Sequence, residues 1–285
     1  MPDGLYASQL DRFGFVPMNH HEPKWFPVRA GSVYDERGSE ISGYQRIWRE
    51  DTGDNIALHT SDYQLVPYEQ NFERFDQAIA KSGLDTTDMR VATDMSHNGG
   101  RCFRQYLFPA HTRSIGANDP VALRIIMFDS YDGSYSFRGT AGFFRFACAN
   151  TAIIGDAAID IRAKHTAKFA ERSSMMIEAV VNAAVSFDTE VERMQRWSSV
   201  PVSLQDAREL IKLIPQQNET LVDSLFADYA VKHGSSGTAW DLFNVLTNWA
   251  THTGARANLA QVRAQREDRV LAITNKKLWK ELIDA

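Results

Sequence analysis

The stretch PVALRIIMFDSYDGSYSFRGTAGFFRFACAN, Pro120 to Asn150, decides how the chain is read. β-Branched and aromatic residues flank the Asp132-Gly133 step. Such a pair between β-formers is the strongest short-range hairpin signal, because a type I′ turn needs φ > 0 at both central positions. Pairing outward from that step sets Ser130 opposite Tyr135, Phe128 opposite Phe137 and Met127 opposite Arg138. Alternation then gives Phe128, Ser130, Tyr135 and Phe137 one face, and Met127, Asp129, Ser136 and Arg138 the other. In this register Asp129 and Arg138 pair diagonally.

Working outward, MRVATDM (from Met89), GRCFRQYLFP (from Gly100), SYSFRGTA (from Ser134) and GFFRFACAN (from Gly142) have the same strand composition. Asn-Gly-Gly, Asn-Asp-Pro and Gly bound them, and the connections are too short for crossover helices, so the sheet is an antiparallel meander. YQRIWRE and NIALHT, on either side of Asp51 to Asp54, read as an earlier hairpin. Between hairpin and meander, Phe72, Phe75 and Ile79 recur at helical spacing, with Pro67 to start the helix and Gly83 to end it. Residues 1–43 lack either period and form an irregular arm, docked through Trp25, Phe26 and Val28. From about Ile159 the chain is helical: Phe169, Met176, Val180, Ala184 and Phe187 form one stripe, broken near Ser186. Helices over Ser203 to Leu213, Thr220 to Lys232, Ala239 to His252 and Gln261 to Leu282 follow. The fold class is α+β: an antiparallel meander with an early and a long helix packed on it, plus a C-terminal helical subdomain. The divisions fall at 1–43, 44–198 and 199–285.

With 285 residues and 44% hydrophobic content the chain can bury a sizeable core. A net charge of -5 argues against a surface built throughout for nucleic acid. Between Ser96 and Arg172, however, ten Lys/Arg face six Asp/Glu. Cys102 and Cys148 have no CxxC partner, which fits a reducing cytoplasm and neither a disulfide framework nor a zinc site. The first residues carry no leader pattern, and no run approaches the roughly 20 apolar residues a membrane span needs. The expectation is a cytoplasmic protein with no membrane partner.

No GxxxxGK[ST], GxGxxG, GxSxG or HExxH occurs, and His20-His21, His97, His111 and His165 do not cluster at ligand spacing. No catalytic residue, metal ligand or cofactor is therefore named. His165 reads as a helix start, a packing residue or an anion contact. The strand arginines Arg101, Arg104, Arg124, Arg138 and Arg145 carry planar forks suited to phosphate oxygens, and Lys164 and Lys168 supplement them at a helix N-terminus. Tyr131, Tyr135 and Phe137 are candidate stacking platforms for unpaired bases. The structural use of each arginine is a pair with a nearby acid.

TSDYQLVPYEQNFERFDQAI, GGRCFRQYLF, FDSYDGSYSFRGTAGFFRFACANT, IRAKHTAKFAE and TAWDLFNVLTNWATHT together resemble the phage- and plasmid-borne domain-of-unknown-function family 932 over roughly residues 44 to 252. The chain departs from that family's pattern at Asp129, where Asn is usual, at Tyr131, where His is usual, at Phe146-Ala147, where two valines are usual, and at Lys164, where Arg is usual. The order of hairpin, helix, meander and long helix is similar to the Redβ/RecT/Rad-type single-strand annealing superfamily. That resemblance implies a homo-oligomeric ring or helical filament that binds single-stranded DNA, promotes annealing or recombination and uses no nucleotide cofactor. Two other readings stand beside it: a phage early protein that acts by protein–protein interaction with host or defence components, and a nucleic-acid enzyme with a metal held by Asp129 and Asp132.

Overall fold

The computed structural model describes residues 10, 13–116, 119–147, 150–153, 162–254 and 260–283. Six antiparallel strands form the larger sheet, in the order β1 (Val16–Pro17), β5 (Arg90–Ser96), β6 (Arg101–Ile115), β7 (Asp119–Ser130), β8 (Arg138–Arg145) and β9 (Asn150–Ile153). From β5 to β9 each strand pairs with its successor, which is the expected meander. The fold is α+β with antiparallel sheets.

One face of this sheet carries α1 (Tyr68–Lys81) and α2 (Phe169–Val185). The helical stripes Phe72, Phe75, Ile79 and Met176, Val180, Ala184 share one core with Tyr106, Ile125, Met127 and Phe143. Each large apolar side chain buried there contributes about 1.5–3 kcal/mol relative to exposure. Helix α2 stops at Ser186, whose hydroxyl donates back to the Asn182 carbonyl (3.1 Å), and α3 (Phe187–Trp197) continues the stripe. The C-terminal helices are α4 (Leu204–Ile211), α5 (Glu219–His233), α6 (Ala239–His252), α7 (Ala260–Thr274) and α8 (Lys277–Ile283). Ser203 and Asn218 cap α4 and α5, and Thr238 with Asp241 closes a capping box on α6. The helix expected over Gln261 to Leu282 is thus two, and α7 lies on the second face of the large sheet, with Ala264 among Phe103, Ile126 and Phe128.

The arm is not wholly irregular. Val28–Tyr34 is a strand, β2, pairing with β3 (Glu40–Arg49), which pairs with β4 (Asn55–Thr60) to make a separate three-stranded sheet. The arm does dock: Trp25 stacks on Phe72 at 5.7 Å and Phe26 meets Tyr131 edge-on at 6.3 Å. The GFFRF run continues β8 through Gly142 instead of starting a new strand. Cys102 is buried and free, while Cys148 lies outside the described residues.

The β7–β8 hairpin also differs from the expectation. Phe128 pairs with Arg138 and Met127 with Gly139, and residues 131–137 form a longer connection. Gly133 has φ +74°, but Asp132 is not among the described residues with positive φ, so the turn is not type I′. The Asp132 carboxylate accepts from the Ser134 N–H (2.8 Å) and the Arg101 Nε (2.6 Å) and shapes the loop itself. A one-residue shift exchanges faces. Phe137 turns into the core against Phe72 and Phe169, and Arg138 lies over the Phe128 ring at 4.4 Å. Arg138 therefore does not meet Asp129; its carboxylate partner is Asp268, at 3.4 Å.

Candidate nucleic-acid interface

Each of the five strand arginines meets a carboxylate of this chain. Arg104 pairs with Asp76 (3.0 Å), Arg124 with Glu267 (2.9 Å), Arg101 with Asp132 (2.6 Å), Arg145 with Asp119 (2.5 Å) and Arg138 with Asp268. Arg104 and Arg124 are buried, and so are Tyr131 and Phe137, which puts these four out of reach of a strand in this conformation. Arg101, Arg138 and Tyr135 are half-buried and gather on one face, where the Tyr135 ring meets Phe103 and Phe128. Lys164 and Lys168 are exposed. The structure thus disperses the expected ten residues over the core, one sheet face, the far end of β8, where Arg145 meets Asp119, and the approach to α2.

What Asp129 does was not legible from its neighbours in sequence. It is fully buried, and its Oδ1 accepts from His165 Nε2 (2.8 Å) and the Ser130 N–H (2.8 Å). Its Oδ2 accepts from Asn71 Nδ2 (2.7 Å). The other ring nitrogen of His165, Nδ1, faces the Gln64 carbonyl at 3.0 Å. A carboxylate and a carbonyl facing the two ring nitrogens favour a proton on each, which is the imidazolium form. Burial opposes that charge, but the Asp129 carboxylate and the Gln64 carbonyl outweigh it and hold the ring above its ordinary value. Tyr68 and Tyr131 stack at 3.7 Å and exchange bonds, each backbone N–H donating to the other's hydroxyl. This network fixes the end of β7, the start of α1 and the approach to α2 at one point.

Asp132 is spent on Arg101 and Ser134, so Asp129 and Asp132 do not converge. Among the described residues no group of three or more His, Cys, Asp or Glu could hold a metal ion, and no helix is long and apolar enough to cross a membrane.

The three-stranded sheet presents a different surface. Along β3, Ile47 enters the core and Gln45 donates to the Tyr63 carbonyl, so both point inward. Tyr44, Arg46 and Trp48 alternate with them and point outward. Cross-strand partners share a face, which adds Arg29, Leu58 and Thr60. Tyr44 is 50% and Leu58 59% exposed. The Arg46 guanidinium lies 4.5 Å from the Trp48 ring centroid and, among the described residues, has no carboxylate partner. Arg29 pairs with Glu50. The Trp48 indole lies over Gly31, the cross-strand partner of Arg46: a Cβ on Gly31 would sit 2.8 Å from the indole. Arg46 and Leu58 also line a groove of about 580 Å³. Sequence reasoning treated this segment only as a hairpin. The usable signal was three large side chains at i, i+2 and i+4 in Tyr44-Gln45-Arg46-Ile47-Trp48.

A family model described as Domain of unknown function (DUF932) matches residues 56–279. The chain belongs to this family. No curated protein and no solved structure matches it. Within the DUF932 segment lie the Asp129–His165 network, all five arginine–carboxylate pairs, and the exposed Lys164 and Lys168. Tyr44, Arg46 and Trp48 precede it, so the exposed outer face combines β4 of the DUF932 segment with two strands in front of it.

Proposed function

We propose that the protein binds single-stranded DNA across the outer face of the three-stranded sheet and, as a homo-oligomer, promotes annealing of complementary strands. The observation that carries this reading is the outward row of exposed Tyr44, exposed Arg46 and half-buried Trp48, with Arg46 stacked on Trp48 and no carboxylate beside it among the described residues. Aromatic faces accept any base, each stack being worth about 1–3 kcal/mol, and arginine adds both stacking and phosphate contact. The likeness of element order to the Redβ/RecT/Rad-type annealing proteins supports the annealing step, and the reading needs no nucleotide cofactor.

Fluorescence anisotropy of a labelled oligo(dT) titrated with protein at several salt concentrations tests it. Affinity falls as salt rises, by about 0.7 in log–log slope for each phosphate neutralised on a single strand. Trp48→Ala and Arg46→Ala each weaken binding while the fold is kept, since both side chains lie on the outer face. Wild-type affinity in both variants rejects the proposal.

A further inference from the structure

At the far end of β4 the outer face runs into a second depression. Thr60, which pairs with Tyr44, lines both the outer face and a cleft of about 350 Å³. Lys164 and Thr166 line it from the approach to α2, and Tyr135 and Ser136 from the β7–β8 connection. Its floor includes rings stacked on one another, His59 on Tyr63 at 3.9 Å and Tyr63 on His165 at 5.1 Å, so Tyr63 turns an edge to the cleft and His59 keeps one outer face. The floor is held in place from below: His59 Nε2 bonds the Tyr131 carbonyl at 2.7 Å, Tyr63 Oη donates to the Ser130 carbonyl at 3.2 Å, and His165 is clamped by Asp129. A site fixed in this way loses little freedom when it is filled.

The lining specifies its occupant. Lys164 is exposed and has no carboxylate partner among the described residues, so its ammonium is available to a phosphate. The hydroxyls of Thr60, Ser136 and Thr166 add donors around it. Asp62 also lines the cleft, and a carboxylate there disfavours a bare inorganic anion but accepts from a base N–H. Aromatic rings beneath a cation and a carboxylate match a group that has a flat heterocycle and a phosphate together. The volume is within the roughly 300–1,000 Å³ of small-molecule sites.

We infer that this cleft takes one nucleotide of the bound strand, with its base turned out of the stack against the aromatic lining and its phosphate at Lys164. The inference rests on the proposed single-strand reading, because the strand reaches the cleft along the outer face from Leu58 to Thr60.

Photocrosslinking separates the two ideas. An oligodeoxynucleotide carrying 4-thiothymidine is irradiated with the full chain, and the modified residues are mapped by mass spectrometry. Crosslinks at Tyr63 or Tyr135 in addition to Tyr44 or Trp48, with Lys164→Glu lowering the cleft crosslinks by about tenfold and sparing those on the sheet, are the expected result. The persisting sheet crosslinks also report that the variant is folded. Crosslinks confined to Tyr44 and Trp48, or cleft crosslinks indifferent to Lys164→Glu, overturn the nucleotide site and leave the single-strand reading intact. Crosslinks at neither place overturn both.

Discussion

His165 and Asp129 lie 36 residues apart, yet their side chains meet at 2.8 Å in a buried contact behind the cleft floor. Because the folded ring is held above its ordinary value of about 6.5, its contribution is fully present below that pH and is lost as pH rises through the folded value. Urea unfolding at a series of pH values from acidic to alkaline therefore shows stability falling on the alkaline side. His165→Gln removes one member of a buried pair and costs about 3–5 kcal/mol at the acidic end, flattening that part of the profile. Asp129→Asn is milder. The Asn71 Oδ1 has no hydrogen-bond partner among the described residues, so turning the Asn71 amide over lets it accept from the new side-chain N–H₂. A profile of Asp129→Asn as steep as that of the unchanged protein contradicts this account of the network.

The β7–β8 hairpin shows what an element inherits from elsewhere in the chain. Had a two-residue turn set its register, Phe137 would lie near the wet tip, whereas it is fully buried against Phe72 and Phe169. Phe137→Ala accordingly costs about 3–5 kcal/mol in denaturant unfolding, and a loss below 1 kcal/mol would point back to the shorter turn. The meander, the early helix, the interruption at Ser186 and the helix over Ala239 to His252 were legible because their signals are local: alternation and helical spacing. The register was not, because a long-range bond from Arg101 to Asp132 and the burial of Tyr131 under Tyr68 stretch the loop. The arginine partners Asp76, Glu267 and Asp268 come from other elements, so composition alone could not separate a phosphate fork from a buried ion pair. For Tyr44, Arg46 and Trp48 the alternation was present in the sequence, but no local signal says which face of a three-stranded sheet stays uncovered.

Across the whole molecule, coverage and exposure divide between the two sheets. The larger sheet has α1 and α2 on one face and α7 on the other, where Glu267 takes both Arg124 (2.9 Å) and the Thr151 hydroxyl (2.5 Å). Gln105 holds the same guanidinium from its own strand at 2.6 Å. The Arg124–Glu267 contact is therefore buried between the larger sheet and α7, whereas the proposed binding face points away from the core. Glu267→Ala or Arg124→Ala alone leaves a buried charge without its counterpart and costs about 3–5 kcal/mol. The double substitution costs far less than the two single losses combined, because neither charge is then stranded. Under conditions where these variants remain folded, their affinity for oligo(dT) equals that of the unchanged protein, whereas Trp48→Ala has the opposite signature, with unfolding nearly unchanged and binding weakened. Denaturant titration and anisotropy on the same preparations give both coordinates for each variant. A loss of oligonucleotide affinity on substitution of Arg124 that tracks no loss of stability would return the binding surface to the larger sheet, beneath α7.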